Sequence, residues 1–225
     1  MGHRAVDITR GPCAGQGERA ALPRRAVGDY RLAMTTASRQ PARVVMDESA
    51  VSAALQRMAG EIAARHPEGA LALVGVLRGG APLAARLRSL LSSAGRAGAL
   101  FGTVDITLYR DDAATALPNP QIGRSEIPFE VEGRVVILVD DVLYTGRTTR
   151  AAIDAVMDYG RPRVIELAVL VDRGHRELPI QADYVGLRID TSRRERVEVR
   201  VDPVDELAAV VEVLGPAENT PAPGG

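Results

Sequence analysis

The sequence predicts an α/β fold, a mostly parallel central sheet flanked by helices on both faces. Three observations carry this. Residues 71–77, 134–139 and 164–171 are short, nearly all-apolar runs of strand length, as expected of strands buried on both faces. Segments with apolar residues at helical spacing separate them. Hydrophobic residues make up 46% of the chain and aromatics only 3%, so aliphatic side chains must fill the core.

Residues 1–40 read as a tail, with seven arginines against three acids, scattered Gly and Pro, and no sustained apolar period. The folded domain is expected over residues 41–214. It opens with a strand at residues 43–46, and Asp47 is placed to cap the helix that follows. Val51, Leu55, Met58 and Ile62 fall on one face of that helix. After the strand at 71–77, glycines lead into a helix over residues 82–92. Residues 99–109 read as the next strand, and residues 111–128 as a long Pro- and Gly-bearing loop of the functional kind. The strand at 134–139 runs through acids and a glycine into a helix whose Ile153, Val156 and Met157 mark the buried side. Gly160 supplies its stop. Strand 164–171 follows, then shorter strands near 184–187, 197–201 and 209–213. Residues 215–225 form a Pro- and Gly-rich tail.

Composition excludes several chemistries. The formal net charge is −1, so bulk electrostatics demand no nucleic-acid partner. The chain has no lysine, and all 28 basic residues are arginines, which rules out a Walker-type phosphate loop and a Schiff base. One cysteine, Cys13, allows no disulfide within the chain and suits a reducing, cytoplasmic setting. No apolar run approaches the roughly 18–20 residues that span a bilayer, and the start of the chain lacks an apolar core of secretory type.

Residues 135–149, Val-Val-Ile-Leu-Val-Asp-Asp-Val-Leu-Tyr-Thr-Gly-Arg-Thr-Thr, carry the most chemistry. A buried strand delivers Asp140 and Asp141 to the carboxyl edge of the sheet, where open α/β folds bind ligands. Thr145, Gly146, Arg147, Thr148 and Thr149 then form a hydroxyl-rich turn at a helix N-terminus, where free N–H groups suit a phosphate. Acids able to hold ribose hydroxyls beside a phosphate cradle match a ribose 5-phosphate. An Asp-Asp pair alone would more often be a helix cap; the full string is much more specific.

That string resembles the signature of type I phosphoribosyltransferases, which bind 5-phosphoribosyl-1-diphosphate (PRPP). Residues 105–112, 170–180 and 182–186 resemble one subfamily, the PyrR family of pyrimidine-operon regulators and uracil phosphoribosyltransferases. The likeness covers roughly residues 44–201. It implies the type I phosphoribosyltransferase fold with a flexible hood loop, and Mg²⁺ as cofactor. Asp140 and Asp141 would bind the ribose hydroxyls directly or through the metal, and residues 145–149 the 5-phosphate. The turn Leu77-Arg78-Gly79-Gly80 would take the pyrophosphate, although the family's usual turn is Thr-Arg-Gly. Arg110 and Asp111 would belong to the hood that closes during catalysis. Asp172, Arg173 and Arg176, with Tyr184 and Val185, would line the base and pyrophosphate side. After Gly186 the chain departs from the family's usual Lys-Asn-Pro, reading Leu187-Arg188-Ile189-Asp190 before Thr191-Ser192.

Two positions favour a pyrimidine. Similar purine enzymes carry an acid where this chain has Tyr144, and a lysine where it has Asp172. The expected reaction is therefore uracil plus PRPP to UMP plus diphosphate, with possible control of pyrimidine genes through an mRNA leader. The alternatives are a non-catalytic, nucleotide-sensing RNA-binding attenuator and a purine phosphoribosyltransferase. Gln56, Arg57 and Gly60 on the first helix offer a thin set of RNA contacts. Of the histidines, His66 reads as a solvated helix cap, and His175 as a structural or solvent-facing residue near the site. A homodimer or higher homo-oligomer is expected, with no membrane partner.

Overall fold

The computed structural model describes residues 42–107, 124–201 and 209–215. Both expected tails, apart from Gly215, lie outside that range, as do Arg110 and Asp111.

Strand β1 (Ala42–Met46) leads into helix α1 (Glu48–Arg65). Asp47 caps it as the sequence predicts, its carboxylate accepting the Ala50 N–H at 2.8 Å. Val51, Leu55, Met58 and Ile62 are all buried. At the far end His66 is a cap but not a solvated one. Its backbone N–H bonds the Ile62 carbonyl, and its Nε2 lies 2.8 Å from the carboxylate of Glu166. A buried carboxylate needs partners, and the imidazole supplies one.

The central sheet has five parallel strands in the order β3-β2-β4-β5-β6. These are β2 (Leu71–Val76), β3 (Leu100–Val104), β4 (Val135–Leu143), β5 (Val164–Asp172) and β6 (Tyr184–Arg188). Side chains alternate between two cores, as strand geometry requires. Val135, Ile137 and Val139 of β4 join Leu71, Leu73, Leu170 and Tyr184 beneath α1 and α2 (Gly80–Ser93). Val136 and Leu138 join Val74, Leu167 and Val169 beneath α3 (Arg147–Met157).

The buried side of α3 differs from expectation. Val156 is buried, but Met157 is 48% exposed and Ile153 only packs at the margin. Thr149, Ala151, Ala152 and Ala155 form the inner face instead. Small side chains let this helix lie close to the sheet, and a reading weighted to large apolar residues overlooks them.

The remaining strands form a separate antiparallel sheet, β1-β8-β7, with β7 (Arg196–Val201) and β8 (Ala209–Leu214). Ala42 and Arg196 both stand opposite Leu214. The strands were legible in the sequence. Their segregation was not, because it rests on pairing β1 with a strand near the far end of the domain.

Candidate active site

Strand β4 ends in the two acids. The alternation that buries Ile137 and Val139 under α2 also turns Asp141 to that side, against the start of the helix. A Cβ on Gly79 would overlap the Asp141 carboxylate, and one on Gly80 would overlap the Val139 carbonyl oxygen. The two glycines therefore let the N-terminal end of α2 press against the end of β4, with Arg78 exposed beside them. Residues 77–80 are held from behind by the Leu77 N–H, which donates to the Val104 carbonyl at 2.9 Å.

Asp140 is buried at 6% exposure. Its Oδ1 accepts the Asp141 N–H at 3.0 Å, and the Asp141 Oδ1 accepts the Val142 N–H at 2.8 Å. Burial, and then the neighbouring Asp141 charge, push the Asp140 carboxyl well above the usual carboxylate range. Two adjacent acids of this kind suit a hard divalent cation that completes its shell with substrate oxygens and water. Among the described residues no group of three or more His, Cys, Asp or Glu could hold a metal alone.

The turn after β4 has the form of a phosphate cradle. Gly146 takes the left-handed conformation (φ 91°) before the first helical residue, Arg147, a geometry that favours glycine. The N–H groups of the first turn of α3 follow. Thr149 is buried on the inner face of α3, so only its backbone can serve a phosphate. A second segment braces the turn. The N–H groups of Glu177 and Leu178 donate to the Thr145 carbonyl at 2.9 and 3.2 Å, and Arg147 Nε reaches Glu177 at 2.9 Å.

The base-side residues fall into two groups. Asp172, Arg173 and Arg176 lie at the same carboxyl edge as the acids, with Leu143 opposite Asp172. Their polar groups are engaged within the protein. Arg176 bonds the carbonyls of Tyr144 (2.8 Å), Gly174 (2.9 Å) and Ile180 (3.1 Å), and the carboxylate of Asp172. Asp172 also accepts the Gly174 N–H. Tyr184 and Val185 do not line the edge. They stand opposite Ala168 and Val169, with side chains in the two cores. The Tyr184 hydroxyl donates to Glu166 at 2.7 Å. The part of β6 level with Asp172 is Arg188, and the Ile189 N–H donates to the Asp172 carbonyl.

Three residues at this edge lie outside the predicted ligand set, Tyr144 being marked in the sequence only as a position that favours a pyrimidine. Tyr144, His175 and Thr191 cluster around Arg173. A tyrosine between the acids and the phosphate turn was the available signal for the first. His175 follows Arg173 by two residues in the loop after β5, and Thr191 is brought in by the return of the chain after β6. Gln56, Arg57 and Gly60 of α1 are exposed, but one guanidinium nitrogen of Arg57 is turned onto the Val185 and Gly186 carbonyls at 2.9 Å each. A cleft of about 430 Å³ opens along edge strand β3, lined by Phe101, Ile127 and Tyr159 among others, and holds neither acid and no residue of the phosphate turn.

Comparison with known proteins agrees with this geometry. The phosphoribosyl transferase domain family matches residues 45–203. The bifunctional protein PyrR of Pelotomaculum thermopropionicum is 50% identical over 175 residues, covering 77% of this chain and 96% of that protein. The bifunctional protein PyrR of Listeria welshimeri is 53% identical over 166 residues, covering 72% and 91%. Among solved structures, a Trypanosoma cruzi hypoxanthine phosphoribosyl transferase superposes with a TM-score of 0.58 at 21% identity, covering 76% of this chain and 90% of that one. At that identity the likeness concerns the fold.

Proposed function

The chain belongs to the PyrR family of phosphoribosyltransferases, and on that premise we propose that it makes UMP and diphosphate from uracil and PRPP. The observation that carries the reading is the junction of three parts at one sheet edge: Asp140 and Asp141, the Gly79 turn, and the Thr145–Gly146 phosphate turn.

In this reading the N–H groups of residues 145–149, with the hydroxyls of Thr145 and Thr148, hold the 5-phosphate. Asp140 and Asp141 would hold the ribose hydroxyls and a magnesium ion, which would supply positive charge to the diphosphate side of the site. The Arg78–Gly79 turn, with the N-terminal end of α2, faces that diphosphate. The bond from C1 to diphosphate breaks, uracil N1 bonds to C1, and the N1 proton of uracil passes to the released diphosphate. The transition state is a cationic ribose, so positioning and charge compensation supply most of the rate. The segment with Arg110 and Asp111 leaves from the carboxyl end of β3, and its flanks are tied by the Thr103–Glu126 bridge and by the Ser125 hydroxyl, which accepts the Asp105 N–H at 2.9 Å. Closing that segment over the site would exclude water from C1.

The fold neighbours act on hypoxanthine. Tyr144 and Asp172 favour a pyrimidine here, because no carboxylate stands before the phosphate turn and no lysine after β5. The decisive experiment is Mg²⁺-dependent UMP formation from PRPP and uracil, with hypoxanthine and guanine in parallel and Asp141→Asn as control. UMP formation lost in the control supports the assignment; turnover of purines instead would overturn it.

The relatives' name, "bifunctional", favours a second role. We propose that the protein also binds an mRNA leader under the control of UMP, acts in the cytoplasm and assembles as a homo-oligomer. RNA affinity that falls steeply with salt supports this role, and absence of saturable binding with UMP present counts against it. Among the described residues no helix is long and apolar enough to cross a membrane.

A further inference from the structure

Tyr144 stands between the acids and the phosphate turn and favours a pyrimidine, yet the reaction scheme does not say what holds its ring in place. Its half-buried ring is gripped on two sides. The guanidinium carbon of Arg173 lies 4.2 Å from the ring centroid. The His175 imidazole meets the ring edge-on, with centroids 5.8 Å apart and planes at 74°.

Both gripping residues are fixed by the same segment after β6. Arg173, only 6% exposed, donates from Nε to the Thr191 hydroxyl at 3.1 Å and from Nη2 to the Ser192 carbonyl at 2.8 Å. His175 places Nε2 2.5 Å from the Thr191 carbonyl oxygen. A carbonyl only accepts, so that nitrogen carries a proton. The Arg173 N–H donates to Leu143, the residue before Tyr144, at 3.1 Å. Arg173 is thus occupied by its stack and its hydrogen bonds.

We infer that Arg173 and His175 are positioning residues that set base selection through Tyr144, holding its ring as a fixed wall beside the base. The inference rests on the phosphoribosyltransferase reading of the site. A tyrosine free to change rotamer would sweep out space into which a two-ring base could fit. A ring held on its face and its edge keeps the opening to one-ring width. The desolvated cation under the ring supplies most of the hold, and interactions of this kind are worth up to about thirtyfold in an equilibrium.

The test is steady-state kinetics with uracil and hypoxanthine on the full chain, comparing wild type, Tyr144→Leu, Arg173→Met, His175→Asn and the Tyr144→Leu/Arg173→Met pair. Each single change should raise the uracil KM about three- to thirtyfold, leave kcat within about threefold, and narrow the preference for uracil. Because Arg173 acts through the ring, the pair should be no worse than Tyr144→Leu alone, within about twofold. Arg173→Lys, which keeps a cation over the ring, should recover part of the loss. Multiplicative effects in the pair, or a fall in kcat at constant KM, would mean that Arg173 touches substrate directly and would overturn the inference.

Should Arg173→Met not fold, His175→Asn carries the same comparison. Asparagine tolerates the left-handed backbone at this position (φ 62°), and the change removes the ring contact together with the hydrogen bond to the Thr191 carbonyl that orients the imidazole. A wild type that makes no UMP would instead sink the proposed function. Calorimetric affinities for UMP and IMP across the same variants would then decide the clamp. A UMP-to-IMP ratio that shifts in Arg173→Met and His175→Asn supports it, and an unchanged ratio, or binding of neither nucleotide, overturns it.

Discussion

Gly79 lies directly against the carboxylate of Asp141, so close that a methyl group on the glycine would overlap the Oδ2 oxygen and the carboxyl carbon. The contact joins the turn before α2 to the end of β4. It makes the position of the acid depend on a residue 62 places earlier in the chain. Gly79→Ala must push Asp141 or the turn aside. A displacement of an ångström at a reacting centre can cost about a hundredfold. The expected outcome is a loss of kcat/KM for PRPP of about that size with the far-ultraviolet circular dichroism unchanged. Activity within about threefold of wild type would show that the contact is not needed.

Asp140 and Asp141 form a like-charged pair, and Asp140 is buried. The raised Asp140 pKa means that the folded state binds its proton more tightly than the unfolded state does. The resulting penalty is complete above the folded pKa and fades as the pH falls toward the unfolded value, about 3.9. Asp140→Asn should therefore raise the melting temperature of the ligand-free protein at pH 7, by a few degrees, while weakening binding of PRPP with magnesium. A lower melting temperature in the variant would show that the ionised acid is already compensated within the protein.

Opposite chemistry operates around Glu166. Burial raises its pKa, but hydrogen bonds from Tyr184 and His66, and the nearby charges of His66 and Arg65, outweigh this and hold the carboxyl below its usual range. Burial, then the same carboxylate, push the Tyr184 hydroxyl up. Glu166 contributes stability above its unfolded pKa of about 4.3, lost as the pH falls through the lower folded value. Tyr184 contributes stability below about pH 10, lost as the pH rises toward its folded value. Urea unfolding should show both losses in wild type. Tyr184→Phe should remove the alkaline one and cost about 2 kcal/mol at pH 7. An unchanged alkaline limb in that variant would refute the pairing.

The sheet and the acids were legible because they are local. Each strand of the central sheet is an apolar run, and residues 135–149 spell strand, acids and phosphate turn without interruption. Tyr184 and Val185 illustrate what sequence alone does not reveal. A motif places them near the base, but strand alternation turns their side chains into the two cores, and register leaves Arg188 and Ile189 at the level of Asp172. His66 likewise looks solvated until a partner 100 residues away is folded against it. The family resemblance places Arg173 and Arg176 on the base and pyrophosphate side; only their packed geometry shows how they bind the protein itself.

Arg176 illustrates the consequence. It links Asp172 at the end of β5 to the carbonyls of Tyr144 before the phosphate turn and of Gly174 and Ile180 in the following loop. Arg176→Met removes all of these bonds at once, with a longer one to the Leu143 carbonyl, leaving four carbonyls and a carboxylate that is mostly shielded from water. Unfolding free energy should fall by about 2–4 kcal/mol. Because the Glu177–Leu178 segment braces Thr145, the loosened loop should also release the phosphate turn. That predicts a rise in the PRPP KM of about tenfold, larger than any rise for uracil. Measurement at a temperature where the variant remains fully folded separates the two effects. A KM rise confined to uracil would place Arg176 on the base instead.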